Sequence, residues 1–190
     1  MDADRFARVE VQTEAELWAW LADHHAQTDS VWLVTWKVQH RDRYVSREEV
    51  LDALVAHGWI DGRRLKLDDY RTMQLISPRK QQVWAQSYKT RAARLADEGR
   101  MHPAGCAAAE RGRASGLWHA SDAVDALVDP DDLLGALERA GGLIWWQDAA
   151  PSYRRNVLRF IAAAKRPETR ANRIGVVASH AARGEKVPQY

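Results

Sequence analysis

Val31–Val38 is a hydrophobic run rich in β-branched and aromatic residues and reads as a strand, whose period of two sets Trp32, Val34, Trp36 and Val38 on one face. Arg8–Val11 alternates polar with apolar over a shorter length and reads as an edge strand. Between them, Thr13-Glu14-Ala15-Glu16 has the spacing of a capping box. The helix it opens carries Leu17, Trp18, Trp20 and Leu21 on its apolar face and fades by His25. Ser46-Arg47-Glu48-Glu49 is a second capping box, with Val45 and Val50 at staple positions. Its helix turns Val50, Leu51, Leu54 and Val55 inward and stops at Gly58. Trp59–Leu67 and Tyr70–Ile76 then read as two strands around Asp68-Asp69, and Ser77-Pro78 ends the sheet.

Beyond Pro78 the period changes to that of helices. The first runs from about Gln82 to Gly99, and the next from Pro103 to near Gly116. An acidic connector, Ser121–Asp129, leads into a helix with Asp129 as cap, Pro130 at its first position and Gly141-Gly142 as its stop. Further helices are predicted from Pro151 to about Lys165 and from about Glu168 to Ala182, with a tail from Gly184 to Tyr190. The fold class is α+β: a small, mostly antiparallel sheet with packed helices, followed by an all-helical C-terminal part. The expected division is an α+β core domain at 1–120 and a helical extension at 121–190 packed on it, or one continuous domain.

Composition changes this picture in few places. A chain of 190 residues can bury roughly 70% of the surface its unfolded form exposes, so it needs no staples. The single cysteine, Cys106, excludes an internal disulfide framework, and its alanine-rich surroundings predict a buried small hydrophobe. Net charge is only +2. No apolar run follows Met1, the residues after it are charged, and no stretch is long enough to span a bilayer. A soluble cytoplasmic protein with no membrane span is the expectation. Nine tryptophans against two phenylalanines stand out, because an indole combines a large apolar face with a donor that needs a partner.

The candidate chemistry gathers between Ser46 and Trp84. Asp61 lies between Ile60 and Gly62, close in sequence to Trp59, and could act as a general acid or base if burial raises its pKa. Its structural alternative is a carboxylate paired with Arg79 or capping a turn. Arg79 and Lys80 follow a proline-fixed bend where a guanidinium could grip a carboxylate or phosphate. His57 is a second acid–base candidate, or a helix-end histidine interacting with the dipole. Metal ligands and cofactors are not expected: His24 and His25 diverge by about 100° on a helix, and neither a zinc-protease motif nor a Cys pair occurs.

The C-terminal helices carry Arg154, Arg155, Arg159, Lys165, Arg166, Arg170 and Arg173, whereas the segment before them carries Asp122, Asp125, Asp129, Asp131 and Asp132. The cations form an anion or partner surface, or they are offset by those acids. Mild overall basicity argues against nucleic acid as the partner.

Four short strings occur in order: Gly58-Trp59-Ile60-Asp61-Gly62; Ser77-Pro78-Arg79-Lys80 with Trp84; Glu98-Gly99-Arg100-Met101 with Pro103 and Gly105; and Ala164-Lys165-Arg166-Pro167-Glu168-Thr169-Arg170. Together they resemble the YdeI/OmpD-associated, or bacteriocin-protection, family over roughly Leu17–Lys186. The resemblance implies a role in stress or antimicrobial protection and brings no catalytic residue set with it.

Three functions compete. The first is binding of a small anionic or amphipathic molecule in a tryptophan-lined cleft between the sheet and the C-terminal helices, with Trp36, Trp59, Asp61, Arg79, Lys80 and Trp84 as ligand-binding residues. The second is a cofactor-free enzyme using Asp61 or His57. The third is a nucleic-acid or protein-interaction module using Arg155, Arg159, Lys165, Arg166, Arg170 and Arg173. The oligomeric state is left open.

Overall fold

The computed structural model describes residues 5–188; the charged start at 2–4 and the last two residues of the tail lie outside that range. The chain forms two compact units, 1–119 and 120–190.

In the first unit, β1 (Arg8–Glu10), β2 (Val31–Trp36), β3 (Trp59–Lys66) and β4 (Arg71–Pro78) make one sheet in the order β1-β2-β4-β3. β1 pairs parallel to β2, and the other two pairings are antiparallel, so the sheet is mixed. Cross-strand partners share a face. One face therefore carries Val31, Leu33 and Thr35 opposite Ile76, Gln74 and Thr72. On the neighbouring strand, Asp61 stands opposite Ile76 and Arg64 opposite Gln74, so a bulge takes up one extra residue of β3. Without that bulge, the odd spacing from Asp61 to Arg64 would put them on opposite faces.

The apolar half of this face is covered by α1 (Glu14–His24) and α2 (Arg47–Ala56). Leu17, Leu21, Val50, Leu54, Trp59, Leu33 and Ile76 pack there as one buried cluster. The helices form where the caps dictate. Thr13 accepts from the Glu16 amide, but the Glu16 carboxylate returns to the Gln12 amide instead of to the cap. The Ser46–Glu49 box is reciprocal, at 3.2 and 2.6 Å. The opposite face gathers Trp32, Val34 and Met73 into a smaller cluster.

α2 ends on His57, and Gly58 follows with φ +76°, a left-handed turn that glycine adopts at no steric cost. Then α3 (Gln86–Asp97) and α4 (Pro103–Ala114) close the unit. α3 starts four residues later than the pattern predicts, because residues 79–85 form a loop held by Arg79. α4 approaches α2 so closely that a Cβ on Gly105 would lie 2.1 Å from the Ala56 carbonyl oxygen. Cys106 on α4 is exposed, contrary to expectation, because the alanine run has an outward side as well as an inward one.

The second unit contains α5 (Asp122–Asp125), α6 (Asp131–Ala140), α7 (Leu143–Asp148), α8 (Pro151–Ala162) and α9 (Pro167–Ala182). Leu133, Leu137, Trp146, Val157, Ile161, Ile174 and Val177 form its core. Pro130 is the cap of α6, and Asp129, read as that cap, pairs with Arg154 at 2.7 Å. α8 stops at Ala162, so Lys165 and Arg166 lie beyond its end, with Arg166 at the cap of α9.

Candidate functional site

The polar half of the inner sheet face is a chain of side-chain contacts. Arg64 Nη2 donates to Gln74 Oε1 at 3.0 Å, and Gln74 Nε2 donates to Asp61 Oδ2 at 2.9 Å. The Tyr88 hydroxyl on α3 donates to Asp61 Oδ1. Both oxygens of Asp61 are thus occupied, by Tyr88 and Gln74 and not by Arg79. Burial and the Asp61 carboxylate push the Tyr88 hydroxyl up from its ordinary range, which keeps it a proton donor.

Arg79 lies next to this chain and is 4% exposed. Its amide donates to the Gly58 carbonyl at 2.9 Å, which seats the loop on the turn after α2. The guanidinium stands 4.1 Å from the Trp84 ring centre and 5.0 Å from that of Tyr88. Nη1 reaches the carbonyls of Gln82 and Val83, both at 3.3 Å, whereas Nε and Nη2 are buried without a partner. Burial pushes its pKa down to about 10, outweighing the pull of Tyr88 and Asp61.

The structure therefore brings Asp61, Arg79 and Trp84 into one neighbourhood, joined by Tyr88 and Gln74. Trp59 belongs elsewhere: it is fully buried among the α1 and α2 side chains, with its ring 5.6 Å from that of Trp20. Trp84 is equally buried and packs on Trp118 and on the backbone of Gly112. These two indoles are core and do not face one space. Lys80 is exposed.

Trp36, at the far end of β2, lines a pocket of about 310 Å³ together with Thr35, Lys37, Val38, Gln39, Tyr44, Val45, Arg47, Arg64 and Thr72. Three cations line it and no carboxylate does. Arg64 is the link between this pocket and the Gln74–Asp61–Tyr88 chain. None of Lys37, Arg47 or Arg64 stands out by sequence pattern. The available signal is the placement of Thr35, Thr72 and Gln74 at inward strand positions that an apolar core would fill with Val or Ile.

His57 is buried at the end of α2, its Nδ1 2.8 Å from the Ala53 carbonyl, and stacked 5.0 Å from His102. Burial lowers its pKa; the Ala53 bond opposes this, and His102 and His25 add to it. It is neutral at pH 7 and walled by Trp18 and His102, which suits a packing role better than proton exchange with a ligand. Among the described residues, no group of three or more His, Cys, Asp or Glu side chains is placed to hold a metal ion, and no helix is long and apolar enough to cross a membrane.

In the second unit, much of the basic set meets the acidic segment. Arg159 pairs with Asp125 at 2.9 Å and Arg170 with Asp132 at 2.6 Å, and Arg155 stands 4.0 Å from Asp125. Arg173 lies over the Phe160 ring and donates to the Phe160 carbonyl. Lys165 and Arg166 are exposed.

Residues 9–108 match the family described as a domain of unknown function, DUF8412. That match spans more than half of the chain, and the chain belongs to this family. Residues 127–184 match the family described as "Bacteriocin-protection, YdeI or OmpD-Associated", which places the resemblance seen in the sequence within the second unit. Of the four strings, only Ala164–Arg170 falls inside that match; the other three fall within 9–108. No curated protein and no solved structure matches the chain.

Proposed function

We propose that the protein acts in protection by binding a small anionic molecule in its first unit, at the pocket where β2 ends. The observation that carries this reading is the pocket's lining: Lys37, Arg47 and Arg64 with no carboxylate, beside Trp36 and Tyr44. Three cations at a concave, partly apolar surface favour an anion that brings an apolar body with it, although Glu10 stands behind Trp36, accepting from its indole at 3.0 Å. The Gln74–Asp61–Tyr88 chain holds Arg64 from behind, and the Arg79–Trp84 stack fixes the loop before the helix that carries Tyr88. Asp61 and Arg79 then position the site and do not touch the ligand.

The experiment is a titration of the full chain with small aromatic anions, followed by calorimetry at two salt concentrations. Binding that weakens with salt and drops at least tenfold in Arg64→Gln supports the reading. Absence of binding to every aromatic anion refutes it.

A further inference from the structure

The chemistry of the same pocket narrows its ligand. We propose that it is a phosphomonoester site, taking a small molecule with a dianionic phosphate on a flat apolar group; this rests on the anion-binding reading above.

Free donors are what select phosphate. Arg47 makes no hydrogen bond or ion pair among the described residues, so its whole fork is available. Arg64 spends one donor on Gln74. Lys37 Nζ spends two of its three hydrogens, on the Asp68 and Asp69 carbonyls at 3.0 and 2.9 Å, which fixes the ammonium and leaves one free. The Thr35 and Thr72 hydroxyls, 3.4 Å apart, add neutral donors at the sheet end of the lining. Arg47 is also the first residue of α2, where the Ser46–Glu49 box fixes the backbone from which its side chain leaves. Glu48 and Glu49 already meet the positive end of that helix, so the side chain and not the helix end is what the pocket gains. Three formal positive charges and two planar forks exceed what one carboxylate, with two oxygens and a single charge, can use. A phosphomonoester offers three terminal oxygens and close to two charges at pH 7.

Size and wall chemistry supply the rest. A pocket of about 310 Å³ is at the small end of the ligand-site range, roughly 300–1,000 Å³. It has room for a phosphate and one ring system, not for a polymer. Trp36, Val38, Tyr44 and Val45 supply the apolar part of the lining for a ring, and the Trp36 ring also has the Arg43 guanidinium 4.9 Å from its centre.

The test compares three probes on the full chain: phenyl phosphate, benzoate and inorganic phosphate. Phenyl phosphate is expected to bind at least tenfold more tightly than either of the others. Its affinity should rise between pH 5 and pH 7, as the second phosphate proton leaves near pH 6. Arg47→Ala should weaken it at least tenfold with the unfolding midpoint unchanged, because Arg47 is exposed and makes no hydrogen bond or ion pair among the described residues. Benzoate binding as tightly as phenyl phosphate overturns the phosphate assignment and leaves anion binding standing. Inorganic phosphate binding as tightly as phenyl phosphate overturns the flat-group requirement. Failure of all three probes overturns both readings.

Discussion

Replacing Arg79 by Met and by Ala separates its charge from its bulk. The side chain is 4% exposed, so either change acts on a packed interior. Two effects favour the native arginine. The guanidinium faces two aromatic rings at 4.1 and 5.0 Å, an arrangement worth about 2 kcal/mol when desolvated. Its Nη1 bonds to the Gln82 and Val83 carbonyls are long, at 3.3 Å, and Gln82 and Val83 lie in an exposed stretch where water can replace them. Against this, Nε and Nη2 are buried without partners, at a cost of about 1–3 kcal/mol for each unsatisfied group. Methionine keeps most of the stem and removes the charge with its unpaired donors, so Arg79→Met should change stability by no more than about 1 kcal/mol. Alanine removes the stem as well and leaves a cavity between Trp84 and Tyr88, so Arg79→Ala should cost about 2–4 kcal/mol. Urea denaturation followed by near-ultraviolet circular dichroism at pH 7 gives both values. A methionine variant as unstable as the alanine variant would show instead that the buried charge is fully satisfied.

Gly112→Ala puts a Cβ 2.5 Å from Trp84 Nε1. The overpacking, about 1–3 kcal/mol, should exceed the gain of up to about 1 kcal/mol in helix propensity, and a lower thermal midpoint checks this. Ser46→Ala removes the cap that accepts from the Glu49 amide and should cost about 1 kcal/mol by the same measurement. His57 is held below its unfolded value of 6.5, so the unfolded chain takes up the proton first as pH falls. Stability should therefore drop by up to about 1.4 kcal/mol per pH unit from 6.5 down to the lowered folded value, and no further on this account below it. His57→Gln should flatten that slope in urea midpoints taken at pH 7.5 and 5.5; an unchanged slope would assign the pH dependence to other groups.

The strands and capped helices were legible because their signals are local. Val31–Trp36 is a run of β-branched and aromatic residues that is buried on both faces, and Ser46 and Glu49 close their box within one turn. The site was legible only in part, because its parts meet across long sequence separations. Asp61 and Arg79 were identifiable as unusual in their settings. Their link to Tyr88 needs α3 to pack against α2 so that Tyr88 reaches Asp61, and the register between Gln74 and Arg64 needs a bulge that no alternation pattern reveals. Trp59 looked like a ligand wall from its neighbours Asp61 and Gly58, yet its own strand position turns it toward Leu17 and Leu54. Arg47 lies within the Ser46–Glu49 capping string, and only the folded chain sets it beside Lys37 and Arg64.

Everything proposed for the site depends on an anion entering the pocket at the end of β2. The most direct measurement is the indole region of the proton–nitrogen correlation spectrum during titration with phenyl phosphate. A saturable shift of the Trp36 indole is expected, abolished in Arg47→Ala, while the core indoles of Trp59 and Trp84 stay in place. Saturable shifts confined to Trp59 or Trp84, or no shift at any indole, would contradict it.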